Sequence, residues 1–307
     1  VEELSGDLAT AIHEKRRWNY ELVVVTYHSR PLVESMFERL PVDLPIVIVD
    51  NAQGADGMGE LIENRPSARY LTGPGRGYPS GANLGVLSST YDYVVLVDPD
   101  TSPAIDQIDS LVRDLEQDPG LAAVEVMTVE PDGRAELSGG WEPTPLRAFV
   151  HAAGLHKLFP TAGLYARPVP GQPLQPEWMS GSCTAVPVRI FRELGGFDES
   201  YFVYSDDVEF GRRVREAGLR LRLRTDICMQ HLGTGSGEGR PRMLRYRGAS
   251  MTRYLLRYNT TSRTNAMRVF LSVGLAARIP LCLLRNRRAQ VLEHVAYLRG
   301  LWFGPPT

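Results

Sequence analysis

Tyr93-Val-Val-Leu-Val-Asp-Pro-Asp100 (YVVLVDPD) is a short aliphatic run closed by two carboxylates. Such a run reads as a strand buried on both faces that delivers polar groups at its carboxyl end. Glu21 to Thr26 (ELVVVT) and Ile46 to Asp50 (IVIVD) have the same build. Helical stretches over Leu32 to Leu40, Met58 to Asn64 and about Gly81 to Ser89 separate the three, so strand and helix alternate as in an open, doubly wound, mostly parallel α/β sheet. A helix over Ile105 to Gln117 and a strand over Leu121 to Val129 continue the alternation. Ligands of such sheets bind at the carboxyl ends of the strands, which puts Thr26, Asp50, Asp98 and Asp100 on one edge.

Two carboxylates two residues apart, as at Asp98 and Asp100, can turn onto one hard divalent cation such as Mn²⁺ or Mg²⁺. A cation there would bridge a diphosphate and absorb the charge that develops as it leaves. The alternative is a strand-ending turn with solvated acids. Asp50-Asn51 offers an acceptor for the N3–H of a uracil or thymine ring and an amide for a ribose or base edge, or else an Asx turn. Thr26, Tyr27, Ser29 and Arg30 supply hydroxyls, an aromatic face and a cation at the end of the first strand, the groups a nucleotide pocket needs. Between Gly73 and Gly85 (GPGRGYPSGANLG), glycines such as Gly77 let backbone approach a ligand before a helix opens, without a Walker A or dinucleotide signature.

Downstream, a Pro- and Gly-rich stretch from Pro143 to Pro176 predicts loops or short helices. Gly195 onward (GGFDESYFVYSDDVEFGRRVREAG) predicts a turn, an aromatic extended piece and a helix from about Asp206 to Ala217, followed by a strand over Leu219 to Ile227. Asp206 as N-cap with Glu209 three residues on is an acidic capping box, which leaves Asp207 free as a general base for an acceptor hydroxyl. His231 opens a glycine-rich loop and reads as a buried polar residue, a third metal ligand or a phosphate contact.

The chain of 307 residues, 43% hydrophobic and 23% charged, has room for one large α/β domain with an appendage. Three cysteines without ligand-like spacing imply neither a disulfide framework nor a zinc cluster and fit a reducing cytosol. The N-terminus lacks the apolar run of a secretory signal, so a cytoplasmic location is expected. Charge is unevenly spread: Arg240 to Thr307 holds 13 arginines against Glu293 alone, and the rest holds 21 basic and 35 acidic residues. Such a tail has an anionic partner or packs against the acidic body. Its centre, Val269 to Leu284 (VFLSVGLAARIPLCLL), is interrupted by Arg278 and Pro280 and falls short of the roughly 20 apolar residues that span a bilayer. A helix on the membrane interface or one packed on the domain fits equally, and nothing besides the basic charge suggests nucleic acid.

Taken together, these segments resemble the inverting glycosyltransferase family 2, of the GT-A fold, and its bacterial rhamnosyltransferase-like members. The resemblance covers about Leu22 to Ser236 and rests on Val25-Thr26-Tyr27, Val49-Asp50-Asn51, Asn83-Leu84-Gly85, the D-x-D pair Asp98 and Asp100, and Gly195 to Glu199 followed by Tyr204, Asp206, Asp207 and Glu209. It implies that Asn83 lines the donor site, that Asp207, the second acid of the pair with Asp206, is the base, and that His231, Gly233 or Gly235, and Ser236 lie near the metal or diphosphate. It also implies an acceptor segment at Trp178, Ser180 and Gly181. The implied enzyme has a catalytic domain over 1–239 and a basic, amphipathic helical extension over 240–307. It moves a sugar from dTDP-L-rhamnose, or a UDP-sugar such as UDP-galactofuranose, to a polyprenyl-diphosphate-linked or other envelope glycan at the inner face of the cell membrane. Asp206 stands where the family has Glu, and Arg76 where many members have Asn, which leaves the donor sugar open. A nucleotidyltransferase or a non-catalytic sugar-nucleotide-binding module are the alternatives.

Overall fold

The computed structural model describes residues 17–130, 132–232 and 239–306. In chain order its elements are β1 (Tyr20–Thr26), α1 (Arg30–Phe37), β2 (Ile46–Asp50), α2 (Met58–Leu61), β3 (Ala68–Thr72), α3 (Tyr78–Leu87), β4 (Tyr93–Val97), α4 (Ile105–Gln117) and β5 (Leu121–Val129). There follow β6 (Gly139–Gly140), α5 (Pro145–Ala152), β7 (Trp178–Met179), β8 (Cys183–Pro187), α6 (Val188–Glu193), α7 (Asp206–Glu216) and β9 (Arg220–Gln230). The chain closes with α8 (Arg240–Tyr258), α9 (Thr261–Ala276), α10 (Ile279–Leu284) and α11 (Arg288–Phe303).

Seven strands form one sheet in the order β3-β2-β1-β4-β8-β5-β9, in which only β8 runs antiparallel to its neighbours. Alternate residues of the buried strands face opposite layers. Leu22, Val24, Ile46, Ile48, Val95 and Val97 pack with α1, α2 and α4. Val23, Val47, Val49, Val94 and Leu96 pack with α3, α6 and α7. Both faces are therefore covered, which is why these strands read as continuous aliphatic runs. The direction of winding changes between β1 and β4, and Thr26 and Asp98 flank that switch point.

Two strands escape the aliphatic pattern. β3 (ARYLT) is an edge strand whose residues stay partly exposed, and β8 lies just past the loop-rich stretch. β9 behaves as its alternation predicts: Leu221 and Leu223 are buried, while Arg220, Arg222 and Arg224 pair with Asp114 and Asp118.

The four C-terminal helices add a third apolar cluster to the molecule. Met251, Tyr254, Leu255, Met267, Leu271 and Leu301 join Ala148 of α5, Trp178 of β7, Tyr201 and Val208 of α7. Arg257 pairs with Asp198 of the body, and Tyr258 donates to Glu209 (2.7 Å), so the tail packs on the acidic body. Thr261–Leu284, which contains the shorter apolar centre Val269 to Leu284, is 24 residues long, and an 18-residue stretch of it has a mean hydropathy of 1.7, enough by length and composition to cross a membrane. Its inner face, with Met267, Leu271 and Gly274, lies against the protein, and Gly274 abuts Ala152 of α5.

Candidate active site

β4 ends at Val97, and the next residues turn sharply: Thr101 donates through both N–H and Oγ1 to the Asp98 carbonyl. This turn brings Asp98 and Asp100 together. His231, at the end of β9, pairs with Thr101 and donates its N–H to Val129 O (3.0 Å). One ligand atom from each of Asp98, Asp100 and His231 lies within 4.8 Å of the others. Burial and the Asp100 charge push the Asp98 carboxyl up to about 7, with His231 opposing. Burial also disfavours the His231 cation, but contacts to Asp100 (3.2 Å) and Glu136 (2.8 Å) outweigh it and push the imidazole up to about 10. Two crowded carboxylates and an imidazole are a donor set that fits a divalent cation of the Mn²⁺ or Mg²⁺ kind. Gly233, Gly235 and Ser236, expected beside them, lie outside the described residues.

The acid helix faces the same edge. The capping box expected of Asp206 and Glu209 does not form: the N-cap is Ser205, and Asp206 is the first helical residue. Tyr204 and Ser205 both take left-handed backbone angles (φ 63 and 60), a costly conformation for residues with a Cβ, about 1–3 kcal/mol each. The strained turn points Asp206 and Asp207 inward. Glu209 is instead held by Arg213 and Tyr258. Burial raises Asp206 well above the usual carboxylate range, assisted by the charge of Asp207. Asp207 is pushed up to about 6 by burial against a hydrogen bond from Val208 N–H.

Three residues without a sequence signal complete the cluster. Tyr78 opens α3, and burial followed by the charges of Asp98, Asp206, Glu125 and Asp207 raises its phenol. Tyr78 therefore sits among the carboxylates of both halves. Glu125 of β5 is fully buried and accepts from Ser180 Oγ (2.7 Å), Gly181 N–H (3.0 Å) and Thr184 Oγ1 (3.0 Å), and burial pushes it up to about 8. Glu136 holds the far nitrogen of His231. Only the spatial neighbours of β5 reveal Glu125 and Glu136.

Other sequence candidates divide into lining and scaffold. Thr26 is buried at the end of β1, while Tyr27 is exposed and stacks edge-on against His28. Ser29 closes the turn by donating to Tyr27 O, and Arg30 is tied to Glu34, Glu60 and the carbonyls of Asp56 and Gly57. Asp50 is fully buried and accepts from Ala52 N–H, Gly54 N–H and Tyr70 OH, the Asx-turn alternative. Direct contact with a base therefore requires that turn or Tyr70 to give way. Asn51 pins the glycine loop, donating to Gly77 O and accepting from Gly75 N–H. Asn83 grips the GGFDE turn, donating to Phe197 O and Glu199 and accepting from Phe197 N–H, with Arg76 bound to the same Glu199. Motifs far apart in sequence are thus one interlocked unit. Trp178 is buried and donates to Trp141 O, whereas Ser180 is exposed and Gly181 turns at φ 90. The Ser182 carbonyl accepts from Asp98 N–H, joining this loop to the metal-type cluster.

A doubly wound sheet with a D-x-D turn, a facing acid helix and a histidine at the same edge is the architecture of GT-A glycosyltransferases. The chain belongs to glycosyl transferase family 2: the model of that family matches residues 22–163, and that of glycosyl transferase family group 2 matches 93–303. It is similar to N-acetylglucosaminyl-diphospho-decaprenol L-rhamnosyltransferase of Mycobacterium tuberculosis, 29% identical over 219 residues, 64% of this chain and 70% of that one. It is also similar to the low-salt glycan biosynthesis hexosyltransferase Agl10 of Haloferax volcanii, 22% identical over 65% of this chain and 62% of the relative. Among solved structures, the mannosyltransferase PcManGT from Pyrobaculum calidifontis, in complex with GDP-Man and Mn²⁺, shares the fold with a TM-score of 0.58. That likeness is at 19% identity and covers 94% of this chain and 88% of the other.

Proposed function

We propose that this glycosyltransferase is metal-dependent and inverting, and that it moves a sugar, rhamnose from dTDP-L-rhamnose before a UDP-hexose, onto a polyprenyl-diphosphate-linked glycan. The observation that carries the proposal is the meeting of the acid pair Asp206/Asp207 with Asp98 around Tyr78, with Asp100 and His231 clustered on Asp98. The sugar and the acceptor class rest on the relative named an N-acetylglucosaminyl-diphospho-decaprenol L-rhamnosyltransferase.

Asp98, Asp100 and His231 would hold the cation, which supplies charge neutralisation for a departing diphosphate. Asp207 takes the proton from an acceptor hydroxyl as that oxygen forms its bond to the anomeric carbon, while the carbon–diphosphate bond breaks with its electrons on the leaving oxygen. One displacement inverts the anomeric centre. Asp206, kept neutral by burial and its neighbour, lets Asp207 carry the charge alone. Glu125 fixes the Ser180–Ser182 loop beside Asp98, where the acceptor sugar enters. The exposed apolar residues of the C-terminal helices, with their arginines, support attachment to the inner face of the membrane, and the tail serves the 1–239 catalytic domain as a platform.

The test is release of nucleoside diphosphate from dTDP-, UDP- and GDP-sugars with Mn²⁺, Mg²⁺ or EDTA and a lipid-diphosphate sugar acceptor. Metal-dependent release from dTDP-rhamnose, absent in Asp98→Ala, is expected. Release that EDTA leaves untouched removes the metal, and a product of retained configuration removes the single displacement.

A further inference from the structure

A cavity of about 110 Å³ lies between α5 and the C-terminal helices, lined by His151, Tyr165, Arg247, Leu271, Gly274 and Arg278 among others. By volume it holds about four waters, or one phosphate group. Its charge is strongly positive. Arg167, Arg247 and Arg278 all act on the His151 ring, whose affinity for a proton drops to a pKa of about 4 through burial, the stacked His156 and these three arginines. Among the described residues none of the three arginines forms an ion pair with a carboxylate. Arg247 donates to Tyr165 OH (3.0 Å) and lies over the rings of Tyr165 and Tyr204, and Arg278 makes a long contact to the His151 carbonyl. The Nδ1 atoms of His151 and His156 are buried without a hydrogen-bond partner. Of the two arginines that line the cavity, only Arg247 has a carboxylate, Asp207, acting on it, so the cavity keeps an excess of positive charge that suits an external anion.

Two features say which anion. Arg247 connects the cavity with the reaction centre, because its charge also bears on Asp207 and Tyr204. The wall made by Gly274, Leu275 and Arg278 belongs to the helical rod that exposes Val269, Val273, Leu281 and Leu284. An anion in the cavity therefore has the general base on one side and an apolar surface on the other. The geometry points to this cavity as the seat of one phosphate group of the acceptor's diphosphate, with Arg247 and Arg278 as its ligands and the prenyl chain lying along α9 and α10. The inference rests on a lipid-linked acceptor, and it adds residues that neither the family motifs nor the site above contain.

The test is vesicle binding by the full chain in EDTA, so that no cation at Asp98 and Asp100 can capture the diphosphate. Neutral phosphatidylcholine vesicles carry either a polyprenyl diphosphate or the corresponding polyprenyl alcohol. The intact chain should prefer the diphosphate by about tenfold or more, the scale of one charge-assisted contact. Arg278→Glu should abolish that preference, and Arg278→Lys should keep most of it. Equal binding to both vesicles, or a reversed-charge variant that binds like the intact chain, overturns the inference. Inorganic pyrophosphate that binds as tightly as the diphosphate vesicles would overturn the lipid part and leave a free-anion site. Sugar transfer to a soluble acceptor without vesicle preference would sink the cavity and spare the transferase; vesicle preference without turnover supports the cavity and counts against the transferase.

Discussion

Asp207 and its partner Asp206 sit so close that burial and mutual repulsion separate their roles. The pair loses its first proton near pH 6, where Asp207 becomes a base. A base whose pKa is raised works only above it, so kcat/KM should fall as pH drops through about 6, approaching tenfold per unit below. Asp207→Asn should lower kcat by about 10²- to 10⁴-fold, and a pH–rate profile that keeps its acid limb in this variant would remove the assignment. Glu136 is tested without turnover. Glu136→Gln leaves His231 with a weaker orienting partner, and Mn²⁺ affinity by calorimetry should weaken about 10- to 100-fold. The positions of Asp98 and Asp100 past the end of a strand, and of Asp207 in the first turn of a helix, were legible in the sequence, although the capping box from which Asp207 was singled out does not form. Glu125, Glu136 and Tyr78 were not, since their meaning comes from chain segments tens of residues away.

At the level of elements, the interlocked motifs carry their own prediction. Gly77 has a left-handed φ of 102, and a Cβ there would overlap the Phe202 carbonyl, to which Tyr78 N–H is bonded. Gly77→Ala should therefore cost about 1–3 kcal/mol of stability in urea unfolding and lower turnover by displacing Tyr78 from the acids. Unchanged stability and turnover would mean that the loop yields freely. The buried central strands were legible from their aliphatic runs, and α4 and β5 match their expected bounds. β3 and β8 were not, because an edge strand needs no aliphatic run and a short strand of Cys183, Thr184, Ala185, Val186 and Pro187 has no period of its own. The capping box misled for a related reason: the tertiary fold preferred a strained turn that aims both aspartates inward.

For the whole molecule, the tail is part of the core and part of the surface at once. Removing it would uncover Tyr201, Val208 and Trp178, so a truncated chain should lose cooperative unfolding and aggregate. Its membrane role is better read from surface changes. Val273 and Leu284 are 63% and 84% exposed, so Val273→Glu with Leu284→Glu should move the protein from vesicle pellet to supernatant with an unshifted thermal midpoint. Continued pelleting would place the contact elsewhere. The charge split between body and tail was legible from counting alone, but the cavity between them was not, for it exists only where α5 meets α9.

The antiparallel strand inside the seven-stranded sheet has a further consequence, for the order of events in time. β8 is the only strand joining β3-β2-β1-β4 to β5-β9, yet it is made after both β4 and β5. On a growing chain the first four strands can pair as they emerge, but the sheet has a gap at its middle until residue 187 has left the ribosome. Asp98 belongs to the early half, His231 to the late one, and Asp207 to a helix that follows the gap's closure. Chemistry and completion of the fold are thus one event: a nascent or stalled chain can bury much of its first half and still hold none of the assembled site.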